Sequence, residues 1–454
     1  MDGSMQMEAA PRACPQPGRW KGRAALAGAS LAFVLGAAHF FRSGQHGLAC
    51  GCLVWAGLLW RPVAWLRRSA AVFLLGLAAE WGMTTLALAR WRLQLGQDWL
   101  RMVCILGAVA ALTLLAAAAL RSRACRRGEV SGPRAQALAC LLVSALLLLL
   151  DGLRPDLLLL HRLVPGWGAV QALLAGLWAG LVYGWLADRR RAPVWRRRIW
   201  LLFSCVFFGQ LLAGLFLHSL FLLQGVPHLP VPGLILSGPL YRGGGSLFMP
   251  GLFAVSLLLA GSAWCSHLCY LGVWDARAAD AGPRSGRGVP ALWRKMRWGL
   301  LAVSLLLPLG LRLAGLPWPW ALVLALALGL ALLPCALWLS RKLGIPVYCC
   351  GICPLGMTAN LLARLSPWRL RRNGHCTGCG ACARVCRYGA LRLDGDGRVT
   401  GPDWRCTLCR DCMSVCRHRA LEIRCCGQGG AWVEQALLCS LSVLHTLFLF
   451  MGRV

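Results

Sequence analysis

The sequence predicts an all-α polytopic membrane bundle of about 10–11 transmembrane helices, with a small α+β domain near the carboxyl end. Three observations predict this fold class. The chain of 454 residues is 58% hydrophobic and only 14% charged, which is the composition of a membrane protein. Long apolar runs recur along the chain. A cysteine-rich stretch over residues 375–423 repeats itself at a fixed interval.

The apolar runs approach the length of about 20 residues that a helix needs to cross a bilayer. The predicted spans are 24–41, 47–66, 69–89, 99–120, 135–150, 167–187, 199–223, 247–268, 298–316 and 320–339, with a last candidate at 432–451. The run 135–150 is short, and its extension into residues 151–161 at the membrane interface is an open alternative. The polar residues 1–23 predict a disordered cytoplasmic tail, with a cleaved signal peptide as the alternative.

Basic residues are distributed unevenly among the loops. The chain has 48 Lys and Arg against 16 Asp and Glu, and most of the arginines lie in alternate connections between apolar runs. By the positive-inside rule this pattern is an orientation signal, and it predicts that residues 375–423 lie on the cytoplasmic side. The connection with Arg90, Arg92 and Arg101 is an exception. No nucleic-acid partner is predicted, because no basic face with interleaved exposed aromatic residues appears.

The cysteine-rich stretch contains two equivalent sets of four thiols. Each set reads Cys-x2-Cys-x2-Cys-x3-Cys, and the two sets are Cys376, Cys379, Cys382 and Cys386, then Cys406, Cys409, Cys412 and Cys416. A [4Fe–4S] cube needs four thiolates that converge from different directions. The two-residue gaps wrap a loop around three iron corners, and the fourth cysteine ligates the other cluster.

This spacing predicts two [4Fe–4S] clusters. The first is assigned to Cys376, Cys379, Cys382 and Cys416, and the second to Cys406, Cys409, Cys412 and Cys386. A disulfide knot or zinc sites are the alternatives, although zinc usually takes paired Cys-x2-Cys motifs. Clusters need reduced thiols during assembly, so this stretch is expected to face a reducing compartment.

This stretch resembles the bacterial two-[4Fe–4S] ferredoxin fold. The resemblance covers about a seventh of the chain and implies an α+β ferredoxin domain. The family usually has proline after the fourth cysteine, whereas Arg387 and Arg417 stand at these positions here. Two cations beside anionic clusters would favour the reduced state and raise the reduction potential. The alternative is that both side chains simply reach solvent.

Two further cysteine pairs follow membrane helices at their predicted cytoplasmic ends. They are Cys265 with Cys269 and Cys349 with Cys353, and each pair is Cys-x3-Cys followed by x-Leu-Gly. Cysteines at positions i and i+4 share one face of a helix. If the two pairs meet, their four thiols could hold an additional metal or cluster, or act as redox dithiols. The alternative is two structural pairs without a cofactor.

These pairs, flanked by membrane helices and followed by a two-cluster ferredoxin, make residues 199–424 similar to the membrane polyferredoxins. That group includes the quinol-oxidising membrane subunit of periplasmic nitrate reductase systems, the membrane regulator of nitrous oxide reductase, and a related copper reductase. The pair at Cys349 and Cys353 matches the family motif with Pro354, but Tyr270 replaces the usual proline after Cys269. No flavin-binding domain is recognised, so no bound flavin is predicted.

The resemblance implies quinone or quinol as one partner, a redox partner protein as another, and the bacterial inner (cytoplasmic) membrane as the location. The expected parts are a tail at 1–23, an N-terminal transmembrane bundle at 24–198, a duplicated transmembrane module at 199–365, the ferredoxin domain at 366–428 and an apolar helix at 429–454. His218 and Glu80 lie in predicted spans, where polar side chains are costly and often functional. Hydrogen bonding to a neighbouring helix is their alternative role.

The predicted function is one-electron transfer between the membrane and a partner through the two clusters. The chain would then be an electron carrier or a component of a quinol-linked oxidoreductase, and no catalytic residue is predicted. Two alternatives stay open. One is a membrane metal or thiol reductase that uses the Cys-x3-Cys pairs. The other is a redox-sensing membrane regulator whose clusters report oxygen or iron status.

Overall fold

The computed structural model describes residues 19–61, 63–121, 134–222, 231, 233–242, 247–283, 291–395 and 399–451. The described part is mostly helical, and ten of its helices are long and apolar enough to cross a membrane. A small domain near the carboxyl end adds a three-stranded sheet. The predicted fold class is therefore confirmed. The chain divides into two compact units, Met1–Ala137 and Leu138–Val454, which are described separately.

The first unit contains four helices, α1 (Arg19–Arg42), α2 (His46–Leu58), α3 (Ala64–Gln94) and α4 (Leu100–Arg121). Residues 1–18 of the predicted tail lie outside the described residues. The predicted span 47–66 is wrong in its boundaries, because α2 has 13 residues and covers only about 20 Å of a bilayer core of about 30 Å. Pro62 follows in the sequence, and proline interrupts helical hydrogen bonding. Glu80 on α3 lies 3.6 Å from the His39 imidazole of α1, so this carboxylate has a neighbouring partner.

The second unit begins with α5 (Arg134–Leu153), α6 (Leu159–Leu163), α7 (Gly168–Ala187), α8 (Ala192–Phe216) and α9 (Leu234–Arg242). Helix α5 has 20 residues and is longer than the predicted 135–150. Helix α8 ends at Phe216, which places His218 beyond the membrane helix. The His218 side chain is exposed and accepts a hydrogen bond from the Leu220 amide at 3.0 Å. The predicted span 199–223 is therefore wrong at its end, because the helix stops before His218.

The chain continues through α10 (Phe248–Ala260), α11 (Trp264–His267), α12 (Gly272–Asp280), α13 (Ala291–Leu313) and α14 (Trp318–Leu343). The predicted run 247–268 is interrupted at Gly261, which has a φ of +62°. Such a left-handed conformation is open to glycine without a steric penalty. A single 3₁₀ turn over Gly261–Ala263 joins α10 to α11.

The remaining elements are α15 (Pro354–Leu362), β1 (Trp368–Arg372), α16 (Ala381–Val385), α17 (Asp411–Val415), β2 (Leu421–Cys425), β3 (Gln428–Gly429) and α18 (Ala431–Phe450). Strand β1 pairs with β2 in antiparallel register, with Leu370 opposite Ile423. The strands thus bracket both cysteine sets. Helix α18, the last candidate span, is long and apolar enough to cross a membrane.

The small domain packs against the bundle at the interruption after α10. The Trp368 indole N–H of β1 donates to the Leu259 carbonyl at 2.8 Å, and the Ser366 hydroxyl donates to the Leu258 carbonyl at 3.3 Å. The turn at Gly261 leaves these carbonyls without their helical partners. One hydrophobic cluster runs from Leu257 of α10 to Ile423 of β2. The domain and the bundle therefore share a core.

We expect that Gly261→Ala destabilises this junction. A Cβ at Gly261 would lie 3.0 Å from the Ser366 hydroxyl oxygen, and a left-handed alanine costs about 1–2 kcal/mol. Thermal unfolding in detergent should show the loss. Gly251→Ala in α10 is the matched control, because no atom lies within 4 Å of the position that its new methyl group would take. If Gly261→Ala and Gly251→Ala unfold at the same temperature, then a methyl group at position 261 meets no crowding.

Candidate functional site: the cysteine-lined cavities

The two cysteine sets lie on two copies of one backbone unit. Helices α16 (Ala381–Val385) and α17 (Asp411–Val415) each connect the third cysteine to the fourth. Three left-handed glycines of the first copy have left-handed counterparts in the second copy. The pairs are Gly378 with Leu408, Gly380 with Arg410, and Gly389 with Arg419. The backbone is thus duplicated even where the residue type differs.

Two of the strained residues, Leu408 and Arg410, make contacts that glycine could not make. The Arg410 guanidinium is buried, donates to the Leu186 carbonyl of α7 at 2.8 Å and pairs with Glu434 of α18. Leu408 is 3% exposed and lies beside Gly261. A left-handed non-glycine residue costs about 1–2 kcal/mol. These contacts offset that cost, and they identify the second copy as the half that faces the bundle.

Four cysteines line one cavity inside the domain. We call Cys386, Cys406, Cys409 and Cys412 the inner quartet, and their cavity has an empty volume of ≈ 390 Å³. They are the four thiols that the spacing assigns to the second cluster. Burial raises the pKa of Cys409 to about 12 and raises the pKa of Cys406 and Cys412 as well. Iron binding must therefore displace protons from these thiols.

The other predicted set, Cys376, Cys379, Cys382 and Cys416, is the outer quartet. Cys379 is exposed, and Cys382 has Cys416 and Cys379 as electrostatic neighbours. A hydrogen bond from the Gly378 backbone N–H lowers the pKa of Cys376. The Cys416 sulfur accepts a hydrogen bond from the Ala420 amide at 3.3 Å. The outer quartet is thus closer to solvent than the inner quartet.

The donor chemistry of both quartets fits an iron–sulfur cluster better than a single ion. A tetrahedral zinc ion with Zn–S bonds of about 2.3 Å brings its sulfur atoms about 3.8 Å apart. Among the described residues, no group of three or more His, Cys, Asp or Glu side chains is placed to hold one metal ion. A cube separates its ligands more widely. The assignment of individual ligands stays a prediction.

A second cavity collects the two Cys-x3-Cys pairs. Cys265, Cys269, Cys349 and Cys353 all line it, and its empty volume is ≈ 510 Å³. We call it the bundle cavity. The i, i+4 spacing predicted that each pair lies on one continuous helix, and neither pair does. Helix α11 ends at His267, before Cys269, and Cys353 follows a π-helical turn over Tyr348–Ile352 in an extended conformation.

Asp275 of α12 fixes the turn that carries the second pair. Its carboxylate accepts hydrogen bonds from the Ser340 hydroxyl at 2.6 Å and from the Cys349 backbone N–H at 2.8 Å. Burial raises the pKa of Asp275 to about 6, although these hydrogen bonds oppose the shift. Asp275 belongs to no motif that the sequence predicted as part of a site. The signal was an acidic residue soon after Cys269 in a chain that has few acids.

The bundle cavity and the inner-quartet cavity share a wall. Tyr388 and Thr407 line both of them, and both residues are buried. Cys350, which had no predicted partner motif, also lines the bundle cavity and packs against Tyr388. The cysteine pairs of the bundle are therefore direct neighbours of the inner quartet.

Two buried arginines that the sequence argument also missed complete the lining of the bundle cavity. Arg297 of α13 is 4% exposed and Arg405 is 6% exposed. Arg405 pairs with Asp403 and donates to the Gly389 carbonyl at 3.2 Å. Arg297 lies over the ring of Trp404 at 5.7 Å. Both guanidinium groups place positive charge beside the thiols.

The arginines in the proline positions have different environments. Arg387 pairs with Asp280 of α12 at 2.8 Å and donates to the carbonyls of Ala279 and Gly344 at 2.6 and 2.8 Å. Arg417 is exposed. The alternative that both side chains simply reach solvent is therefore wrong for Arg387. That residue anchors the domain, and Asp280 offsets its charge.

A second anchor joins α8 to α17. The Arg196 guanidinium is 4% exposed, lies 2.9 Å from the Asp411 carboxylate and donates to the Ser266 carbonyl at 3.1 Å. Arg197 lies 3.0 Å from Asp280 and 3.6 Å from Asp411. A charge pair of this kind holds only while both partners stay in place, because a lone buried charge is costly.

Comparison with protein families agrees with this geometry. Residues 375–420 match the family model described as a 4Fe-4S dicluster domain. No curated protein and no solved structure matches the chain. The chain is thus a multi-pass membrane protein with an iron–sulfur domain of the ferredoxin type, whose chemistry is electron transfer.

We expect that Arg387→Gln loosens the domain from the bundle. The change leaves Asp280 and two carbonyls without their donor, and each such loss costs about 1–3 kcal/mol. Arg417→Gln at the equivalent exposed position is the matched control. Limited proteolysis and thermal unfolding in detergent should separate the two variants. If both behave like the parent protein, Arg387 is not an anchor.

Proposed function

We propose that this protein passes single electrons between the quinone pool of a bacterial inner membrane and a redox partner protein, through two [4Fe–4S] clusters. The observation that carries the proposal is the serial order of the quartets. The inner quartet, of which Cys412 is buried, lies next to the bundle cavity across Tyr388 and Thr407, whereas Cys379 of the outer quartet is exposed. When bound, each cluster supplies a one-electron carrier.

The surroundings of the quartets suit such a role. Leu370, Leu391 and Ile423 line the inner-quartet cavity and exclude water from it. Burial and local charge are two of the means by which a protein sets the potential of a cluster. The anchors at Arg387 and Arg196 keep the inner quartet against the bundle. A fixed distance of this kind supports rapid transfer across the junction.

The exposed end of the domain suits a partner protein with an acidic surface. Exposed basic side chains surround the outer quartet in sequence: Arg371, Arg372, Arg384, Arg417 and Arg419. Complementary charge steers the encounter of two proteins and raises the association rate at low salt. We therefore assign the partner protein to this end and quinol chemistry to the membrane end.

The resemblance to membrane polyferredoxins supports quinol as the donor. Each quinol that becomes a quinone releases two electrons and two protons, so two one-electron transfers are needed per quinol. The four thiols of the bundle cavity lie where such electrons would enter the domain, at the ends of α11 and α14. The direction of flow follows from the potentials of the two partners.

Basic connections support a cytoplasmic location of the domain. Arg189 pairs with Glu434, Arg196 pairs with Asp411, and Arg197 pairs with Asp280. Arg189 lies in the connection between α7 and α8, and Arg196 and Arg197 lie in the first two turns of α8. Basic residues beside a membrane helix favour the cytoplasmic side. The domain, whose Asp411 contacts this end of α8, is assigned to the same side.

Quinol reduction tests the function. In anaerobic nanodiscs, a quinol analogue should bleach the visible absorbance of both clusters. In Cys409→Ser, which alters the inner quartet, the outer cluster should be reducible by dithionite but no longer by quinol. In Cys379→Ser the inner cluster should still respond to quinol. Iron content and EPR confirm that the cluster of the unaltered quartet survives in each variant. Cluster-loaded protein that no quinol reduces would overturn the quinone link.

Labelling with a membrane-impermeant maleimide tests the location. Gly401→Cys places a thiol on the exposed surface of the domain, and Ala314→Cys places one after α13 at its opposite end. Labelling of Gly401→Cys in inverted vesicles only, and of Ala314→Cys in right-side-out vesicles only, is the expected result. The reverse pattern would exclude a cytoplasmic domain.

A further inference from the structure

We propose that the bundle cavity binds a third iron–sulfur cluster, held by Cys265, Cys269, Cys349 and Cys353. The inference extends the proposed electron transfer by one carrier. Its evidence is independent of the quinone partner, because it rests on the thiols, the size, the charge and the position of this cavity.

The size and the donors of the bundle cavity match those of the inner quartet. The inner-quartet cavity is lined by four thiols, and the bundle cavity is lined by the four thiols of the two pairs together with Cys350. The empty volume is ≈ 510 Å³ in the bundle cavity and ≈ 390 Å³ around the inner quartet. The two cavities are thus of similar size.

A single metal ion fits the bundle cavity poorly. One tetrahedral ion would draw four sulfur atoms to about 3.8 Å from one another, and no group of three or more ligating side chains in the described ranges has that placement. Disulfide exchange with a partner is not favoured either, because Cys269 and Cys353 are buried. A multi-iron cluster bridges thiols that stand farther apart.

Three buried donors that line the cavity favour an anionic occupant, although the unpartnered Oδ1 of Asn360 in the same lining is an acceptor. Nε of Arg297, Nη1 of Arg405 and Oγ1 of Thr407 are buried, and none has a hydrogen-bond partner among the described residues. A buried donor without a partner costs about 1–3 kcal/mol. A cluster with four thiolates carries net negative charge, so it would accept from these donors and offset the charge of Arg297, whereas Asp403 already pairs with Arg405.

The position of the cavity gives the third cluster a role. Its shared wall, Tyr388 and Thr407, separates it from the inner quartet. Cys265 lies on α11, which belongs to a membrane span. An electron accepted at the membrane surface would therefore pass in one-electron steps from the bundle cavity to the inner quartet and then to the outer quartet. Each centre is reduced once and reoxidised once.

Iron analysis of anaerobically purified protein tests the proposal. Three [4Fe–4S] clusters predict about twelve iron and about twelve sulfide per chain, against about eight for the domain alone. Cys265→Ser and Cys353→Ser should each lose about four iron atoms and keep the EPR spectrum of the two domain clusters. Cys350→Ala is the matched control, because Cys350 lines the same cavity but lies outside the proposed ligand set.

Several outcomes would overturn the proposal. They are a parent protein with about eight iron atoms, one additional zinc or iron ion per chain, and a loss of iron in Cys350→Ala equal to that in Cys353→Ser. Failure of the proposed function has a different signature. A domain without clusters would lack its own EPR signal, and a wrong quinone partner would leave the iron content at about twelve.

The potential of the third cluster tests the role of the buried cation. Arg297→Gln removes positive charge beside the thiols, so the midpoint potential of the third cluster should fall while its iron is retained. Arg341→Gln, at an exposed position in the last turn of α14, is the control. If the midpoint potential of the third cluster is unchanged in Arg297→Gln, then no cluster lies in contact with this arginine.

Discussion

The contact between Arg410 and the bundle is the interaction on which the arrangement of the quartets depends. Arg410 adopts a left-handed backbone that its counterpart, Gly380, adopts without strain. Its side chain joins the Leu186 carbonyl and Glu434, which belong to two different helices. Without these contacts the left-handed backbone of Arg410 would remain strained, and nothing would offset the free-energy cost of that strain. The asymmetry between the copies therefore arises from docking, since the backbone fold is the same in both.

Docking turns a symmetric domain into a directional one. The second copy contacts the bundle through Arg410 and Asp411, and the first copy has the exposed Cys379. Arg387 and Arg196 reinforce this order through Asp280 and Asp411. A free two-cluster ferredoxin could meet a partner at either end. In this protein one end of the domain packs against the bundle, so the fold fixes the distances between the two quartets and the bundle cavity.

Local sequence patterns predicted much of this structure, but they could not predict ion pairs between residues that are distant in sequence. The iron–sulfur spacing within residues 375–420 was readable because the ligands of a loop are close in sequence. The spans were readable from hydropathy, but the break at Gly261 was not, because an isolated glycine within an apolar run does not reveal its backbone conformation. The pairing of Arg196 with Asp411 joins residues 215 positions apart and left no signal in either neighbourhood.

The place of α18 in the chain has a consequence for biogenesis. Glu434, which lies in the first turn of this last helix, is synthesised after both cysteine sets and completes the salt bridge with Arg410. The ribosome therefore synthesises the cysteines before α18, the helix whose Glu434 holds Arg410 in place. Metallation machinery would have access to the cysteine loops during this interval, and insertion of α18 would then close the junction through the Arg410–Glu434 pair.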